Sequence, residues 1–422
     1  MHPAEQIALI LGRIYRNGMT TTSGGNLSIR EENGNIWITP ASVDKGSLTA
    51  ADIVCVTPEG ACIGQHKPSS EFPFHKAIYD IRPEMRAVIH AHPPALVAFS
   101  ITHRIPDTNM IPQAKRICGR VGFAPYGLPG SEELGKKIAA EFRDNPDIKA
   151  VIMENHGTVL CGTDLTDACT RFETLEFCAR TLIHASILGG VRRLTEEEIR
   201  MRENPQPTDF VHFTNADYPS DEQAIRSEIV RMVHRACDQG LMSNAYGNVS
   251  VRWKGNDFLI TPSGVPRREM GIEDVVQIRD GRVESGKTPS RYLPLHHAIY
   301  CANPHINSII LTRPPHLMGF ATSEVELNVR TIPESWILLK DIPTIQYKED
   351  NLPIARLFDE RPCILLAGDS VVVTGDGLLQ TFDRLEVAEF TARSLIMATS
   401  LGKLYPISNG EIEELRVAFQ VK

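Results

Sequence analysis

The chain carries one pattern twice, so any fold proposed for it must hold two related copies. Gly25-Asn26-Leu27-Ser28-Ile29-Arg30 returns as Gly247-Asn248-Val249-Ser250-Val251-Arg252. Ile36-Trp37-Ile38-Thr39-Pro40 returns as Phe258-Leu259-Ile260-Thr261-Pro262, and Pro68-Ser69-Ser70-Glu71-Phe72-Pro73-Phe74-His75 as Pro289-Ser290-Arg291-Tyr292-Leu293-Pro294-Leu295-His296. The offset is 222 residues at Gly25/Gly247, 221 at Pro68/Pro289 and 213 at Arg171/Arg384. Loops recur in order along with helices, which argues for duplication rather than chance likeness of two helices. Each copy takes about 200 of the 422 residues, an ordinary domain size. The polar stretch 195–220, with Pro205 and Pro207, reads as a linker. We therefore predict domains at 1–204 and 205–422.

Composition narrows the functional classes. A net charge of −8 disfavours a nucleic-acid backbone as partner. Apolar residues at 42% and charged residues at 23% describe an ordinary soluble globular protein. No apolar run approaches the ~20 residues that span a bilayer, so no membrane role is expected. The N-terminus lacks the basic-then-apolar pattern of a secretory signal. Nine scattered cysteines without a Cys-x-x-Cys pair suit reduced thiols in the cytoplasm. Cys55, Cys62, Cys169 and Cys178 sit in apolar patterns and are expected in the core.

In the first copy, apolar spacing predicts helices over 5–17, 70–80, 131–142 and 167–188. A serine near residue 70 is expected to cap the second of these. Strands are predicted over 26–30, 35–38, 53–56, 87–89 and 150–153. This alternation predicts an α/β sandwich with a largely antiparallel central sheet.

The chemistry concentrates at strand ends. Side chains two apart on an extended segment face the same side, so His90 and His92 can address one cation. His156 follows another predicted strand. Three neutral imidazoles suit zinc, or another first-row divalent metal, and leave a position open for a substrate oxygen. His-x-His alone is weak, because exposed histidine pairs are common. Glu71 is a candidate general base beside such a centre, and equally a residue favoured at a helix start. Asn26, Ser69 and Ser70 offer amide, hydroxyl and N–H groups to an anion, or ordinary turn and cap chemistry.

Taken together, these motifs resemble the class II aldolase/adducin family. The matching segments are Ser23-Gly24-Gly25-Asn26-Leu27-Ser28, Ile38-Thr39-Pro40-Ala41-Ser42, Lys67-Pro68-Ser69-Ser70-Glu71, His90-Ala91-His92 and Asn155-His156-Gly157. Ala124-Pro125-Tyr126 and Gly130-Ser131-Glu132-Glu133-Leu134 also look like the aldolases. The resemblance implies two tandem three-layer αβα domains. It implies zinc on His90, His92 and His156, with Glu71 as acid/base and a substrate phosphate near Asn26, Ser42, Ser69 and Ser70. The implied reaction is reversible aldol cleavage of a small sugar phosphate or related hydroxy-ketone through a metal-stabilised enediolate. Dehydration, decarboxylation or epimerisation could use the same site, and the adducin head offers a noncatalytic alternative. One departure is Ala41-Ser42, where aldolases carry Thr-Gly or Ser-Gly. Residues 104–119, with Lys115 and Arg116, are a candidate pocket lining or simply surface charge.

The second copy has lost this set. Alignment puts Leu311, Arg313 and Asp369 where His90, His92 and His156 stand, and Tyr292 where Glu71 stands. It keeps Asn248, Ser290 and Thr261-Pro262-Ser263-Gly264. A catalytically dead partner domain is the first expectation, and an anion pocket around Arg291 and Arg313 the rival one. The family's tetramer implies a homodimer with four domains, or a higher oligomer.

Overall fold

The computed structural model describes residues 1–203, 210–215, 217–346 and 350–421. The chain divides into two compact units, Met1–Arg180 and Thr181–Lys422. The expected boundary at 204/205 lies outside the described residues. No helix among the described residues is long and apolar enough to cross a membrane.

The first unit holds eight strands: β1 (Asn26–Arg30), β2 (Ile36–Ile38), β3 (Val54–Val56), β4 (Cys62–Ile63), β5 (Ala87–Ala91), β6 (Gly122–Ala124), β7 (Ala150–Met153) and β8 (Gly157–Gly162). They form one sheet in the order β4-β3-β2-β1-β5-β8-β7-β6. Only β6 and β7 pair in parallel, as expected of a largely antiparallel sheet. β1 and β5 lie at its centre with Asn26 directly opposite His90, so their side chains share one face.

Helix α1 (Pro3–Arg16) starts at His2, whose ring accepts the Ala4 N–H, and packs on β1 and β2. Helix α2 (Phe72–Ile81) and helix α5 (Glu132–Asp144) pack on each other and on the sheet. Their core joins Phe74, Ile78, Leu134, Ile138 and Phe142 to Val88, Val151 and Val159. Ser131 caps α5 by accepting the Leu134 N–H at 3.1 Å, and Glu132 and Glu133 favour its positive end. Helices α3 (Pro94–Ile101) and α4 (Pro112–Cys118) had no sequence expectation, since each is short and opens on a proline. Cys55, Cys169 and Cys178 are buried, but Cys62 is exposed. Its two-residue strand lies at the sheet edge, where nothing covers it.

Among its described residues the second unit holds nine strands: β9 (His212–Phe213), β10 (Asn248–Lys254), β11 (Asp257–Ile260), β12 (Val276–Arg279), β13 (Arg282–Glu284), β14 (Ser308–Thr312), β15 (Thr344–Ile345), β16 (Cys363–Leu366) and β17 (Ser370–Gly375). Their order is β15-β16-β17-β14-β10-β11-β12-β13-β9. Its central pair β10 and β14 sets Asn248 opposite Leu311, the register of Asn26 and His90.

Phe142 is fully buried in the core of the first unit. Phe142→Ala should lower stability by about 3–5 kcal/mol, measured by equilibrium urea unfolding.

Candidate metal centre

β5 carries His90 to the sheet's centre, and His92 follows one residue beyond its end. The turn from β7 to β8 supplies His156. Asn155 there adopts a left-handed φ of 52°. A Cβ on Gly157 would lie 2.6 Å from both the Ala91 carbonyl and the His92 ring, so only glycine lets this turn close over β5. Ser100 Oγ accepts the His156 N–H at 2.9 Å and donates to the Met153 carbonyl at 2.6 Å, which pins the turn.

The ring nitrogens of His90, His92 and His156 lie within 4.8 Å of one another. His90 is fully buried, with its Nδ1 2.9 Å from the Thr158 carbonyl. A carbonyl can only accept, so Nδ1 carries the proton and the Nε2 lone pair faces the other histidines. Burial pushes the His92 imidazole down to about 3 and the His156 imidazole to about 4, with His90 adding to both. The neutral form is the one that binds metals.

Glu71 stands at the N-cap of α2, but its carboxylate does not cap the helix. Its Oε2 lies 3.2 Å from His90 Nε2 and its Oε1 3.6 Å from His156 Nε2. Oε1 is buried with no hydrogen-bond partner. Burial pushes this carboxyl up, but His90, Asn26 and His156, the imidazoles in their protonated form, more than offset it and hold it below the usual carboxylate range. Three imidazole nitrogens converging beside an unsatisfied carboxylate oxygen fit a divalent cation in both donor type and charge.

A hydrogen-bond chain beneath Glu71 was not anticipated. Asn26 Nδ2 donates to Glu71 Oε2 at 2.7 Å, and Asn26 Oδ1 meets His75 Nε2 at 2.5 Å. His75 Nδ1 meets Ser28 Oγ at 2.7 Å, and Ser28 meets the Tyr79 hydroxyl at 2.8 Å. The sequence did carry a signal: His75 recurs as His296 in a copy that has lost the counterparts of His90, His92 and His156.

The anion candidates are placed less uniformly. Asn26 is buried, and its amide already serves Glu71 and His75. Ser69 is buried, and its Oγ accepts the Glu71 N–H at 3.3 Å. Ser42 and Ser70 are exposed. The Pro40 and Pro68 bridge sets their two loops side by side. Ser42 takes a φ of 56°, the left-handed form its counterpart Gly264 adopts at 78°. Lys115 and Arg116 lie on the last turn of α4.

The second unit keeps the scaffold and replaces the centre. Ser250, His296, Asn248 and Tyr300 repeat the buried chain at 2.7, 2.6 and 2.8 Å. Arg313 donates to Asp369 Oδ1 at 3.0 Å and also to the Asp369 carbonyl. The Tyr292 hydroxyl reaches both Asp369 oxygens, at 3.1 and 2.9 Å, and accepts from Tyr246 at 2.7 Å. The Arg313 guanidinium lies 3.3 Å from the centroid of the Tyr246 ring. Gly24 occupies the position of Tyr246 in the first unit, where a Cβ would sit 2.8 Å from His92 Nδ1. Glycine there leaves room for the His92 ring, and tyrosine fills that room.

The family model described as Class II Aldolase and Adducin N-terminal domain matches residues 5–183 and again 227–396. The chain belongs to this family. It is similar to 3-oxo-tetronate 4-phosphate decarboxylase of Haemophilus influenzae, 32% identical over 206 residues that cover 47% of this chain and 96% of that protein. It is also similar to L-fuculose phosphate aldolase of Methanococcus maripaludis, 33% identical over 168 residues, covering 40% of this chain and 88% of that one. Among solved structures, YgbL of Escherichia coli is 30% identical with a TM-score of 0.43, covering 47% of this chain and 95% of that one.

His92→Ala removes one of three donors and should cut bound metal from about one ion per chain to a small fraction, measured by elemental analysis after gentle purification.

Proposed function

We propose that the first unit is a metal-dependent lyase that breaks a carbon–carbon bond beside the carbonyl of a small phosphorylated sugar or sugar acid. The observation that carries this reading is the convergence of His90, His92 and His156 beside Glu71, whose Oε2 lies 3.2 Å from His90 and whose unpartnered Oε1 lies 3.6 Å from His156. Zinc suits the three-imidazole donor set best. When bound, the metal supplies an electrophile that draws electrons toward a substrate oxygen.

The chain's own residues do the rest. Glu71 takes and returns the proton at the reacting carbon or its neighbouring hydroxyl. Asn26 holds Glu71 Oε2, which leaves Oε1 turned to His156. Thr158 keeps His90 in the tautomer that can bind. Ser42, Ser69 and Ser70, with Asn26, are the proposed contacts of the substrate phosphate.

Two reactions share this machinery. Aldol cleavage of a ketose phosphate needs Glu71 first as base and then as acid. Decarboxylation of a 3-oxo sugar-acid phosphate needs only the second step, since the departing carboxylate leaves its electron pair on the carbon. Relatives at 32–33% identity across most of their length are named as decarboxylases of that substrate, and we place decarboxylation first. Nine cysteines without a disulfide suit a reducing, cytoplasmic setting.

Glu71→Gln should retain the metal and lose at least about a hundredfold in turnover. Carbon dioxide release from 3-oxo-tetronate 4-phosphate and aldehyde release from ketose phosphates are the two assays. Undiminished turnover in a fully metallated variant would remove Glu71 from the mechanism. We also propose that two chains associate to supply four domains. Light scattering should give a dimer or larger, and a fully active monomer would end that proposal.

A further inference from the structure

The helix Ser220–Asp238 turns Ile229, Met232, Val233 and Ala236 into the core of the second unit. Its other side carries a groove of about 640 Å³. Ser227, Arg231, His234 and Asp238 line this groove, and their spacing puts them on one face of the helix. Ile272, from a neighbouring turn, adds to the wall and is 47% exposed.

His234 is the unusual member. Its Nε2 is buried and has no hydrogen-bond partner among the described residues. A buried polar atom left unmet is costly, so it marks a place for a group that the protein itself does not supply.

The charges beside it decide what that group is. Arg231 stands just under one turn earlier, is exposed, and makes no hydrogen bond or ion pair among the described residues. Asp238, the carboxylate of the lining, is held by Arg268 at 2.6 Å. Arg235 turns aside to Glu386 at 3.2 Å and lies over the Phe382 ring. Glu273, the neighbour of Ile272, folds its carboxylate back over Gly271 and is not in the lining. Arg231 is left as the uncompensated charge, so a cation is disfavoured beside His234. An oxyanion can take a charge-assisted bond from Arg231 and hydrogen bonds from His234 and the Ser227 hydroxyl.

The groove belongs to the second copy alone. At the offset of 222, Ser227, Arg231 and His234 fall on Glu5, Leu9 and Gly12 of α1. An acid, an apolar side chain and a glycine stand where the second copy has a hydroxyl, a guanidinium and an imidazole. Asn248, Gly264, Ser290 and Arg291, the counterparts of the first unit's proposed phosphate contacts, all lie outside this helix. Val230 and Ile272 give the rest of the groove an apolar wall.

We propose that this groove binds a small phosphate monoester, its phosphate at Arg231, His234 and Ser227 and its carbon part against Val230 and Ile272. The second copy is then a ligand-binding domain that does not use the remnant of the metal centre.

The test is isothermal titration of the full chain with phenyl phosphate and with inorganic phosphate, paired with hydrogen–deuterium exchange over residues 227–239. Phenyl phosphate should slow exchange there and should bind more tightly than inorganic phosphate, because only it reaches the apolar wall. Arg231→Ala and His234→Phe should each weaken that binding about tenfold or more, and Arg231→Lys should weaken it less. Unchanged thermal melting shows that the variants fold. No slowing of exchange over 227–239, or slowing unchanged in both Arg231→Ala and His234→Phe, overturns the proposal. So does binding that is lost in His92→Ala and kept in Arg231→Ala, which belongs to the first unit. Metal content and turnover of the first unit should be unaltered in the Arg231 and His234 variants, so failure here is distinct from failure of the lyase reading.

Discussion

The hydrogen-bond chain from Tyr79 through Ser28 and His75 to Asn26 sets the orientation on which the first centre depends. His75 is fully buried, and burial pushes its imidazole down to about 3, so the ring stays neutral with one N–H. The short contact from Nε2 to Asn26 Oδ1 requires that proton on Nε2, because the amide oxygen can only accept. Nδ1 is then an acceptor for the Ser28 hydroxyl. With its oxygen taken, the Asn26 amide must present its NH2 to Glu71. The carboxylate orientation is thus decided two residues below the surface of the site. Register makes this possible, since Asn26 lies opposite His90 on paired central strands.

The same chain in the second unit separates scaffold from function. Ser250, His296 and Asn248 keep their spacing although Tyr292 needs no amide to orient it. The network is therefore part of what holds the helix to the sheet, and the first unit uses it for a second purpose. Buried polar groups that satisfy one another are costly to change singly, because each change strands a partner. That explains why the scaffold persists through loss of the centre.

Much of this was legible in the sequence, and for reasons that can be named. The repeat alone makes Arg313 the counterpart of His92 and Asp369 that of His156. Alternation located β1 and β7 to the residue. The β5 strand was read as ending at Ile89, but it runs to Ala91, because a buried histidine interrupts the apolar pattern without interrupting the ladder. β8 was missed because Gly157 and Gly162 bound it and its polar threonine is buried. Cys62 is exposed against its apolar surroundings, because an apolar pattern does not distinguish a central strand from an uncovered edge. The role of His75 was out of reach: spacing alone does not say that an imidazole bonds an amide across to another strand.

The replacements Arg313, Asp369, Tyr292 and Tyr246 at the second centre are coupled by charge and volume. Arginine in place of His92 beside a bound divalent ion would set two cations together. Aspartate in place of His156 without that arginine would leave a buried carboxylate unpaired, and breaking one side of a buried pair costs about 3–5 kcal/mol. Arg313 and Asp369 are tolerated because each answers the other. Tyr292 then turns its hydroxyl to the same carboxylate, and Tyr246 fills the space that Gly24 keeps open for His92. Effects of neighbours in one network do not add, so reversing one of these residues is not independent of the others. The centre exists in two forms on one scaffold, one whose three imidazoles fit an external cation and one that carries its own.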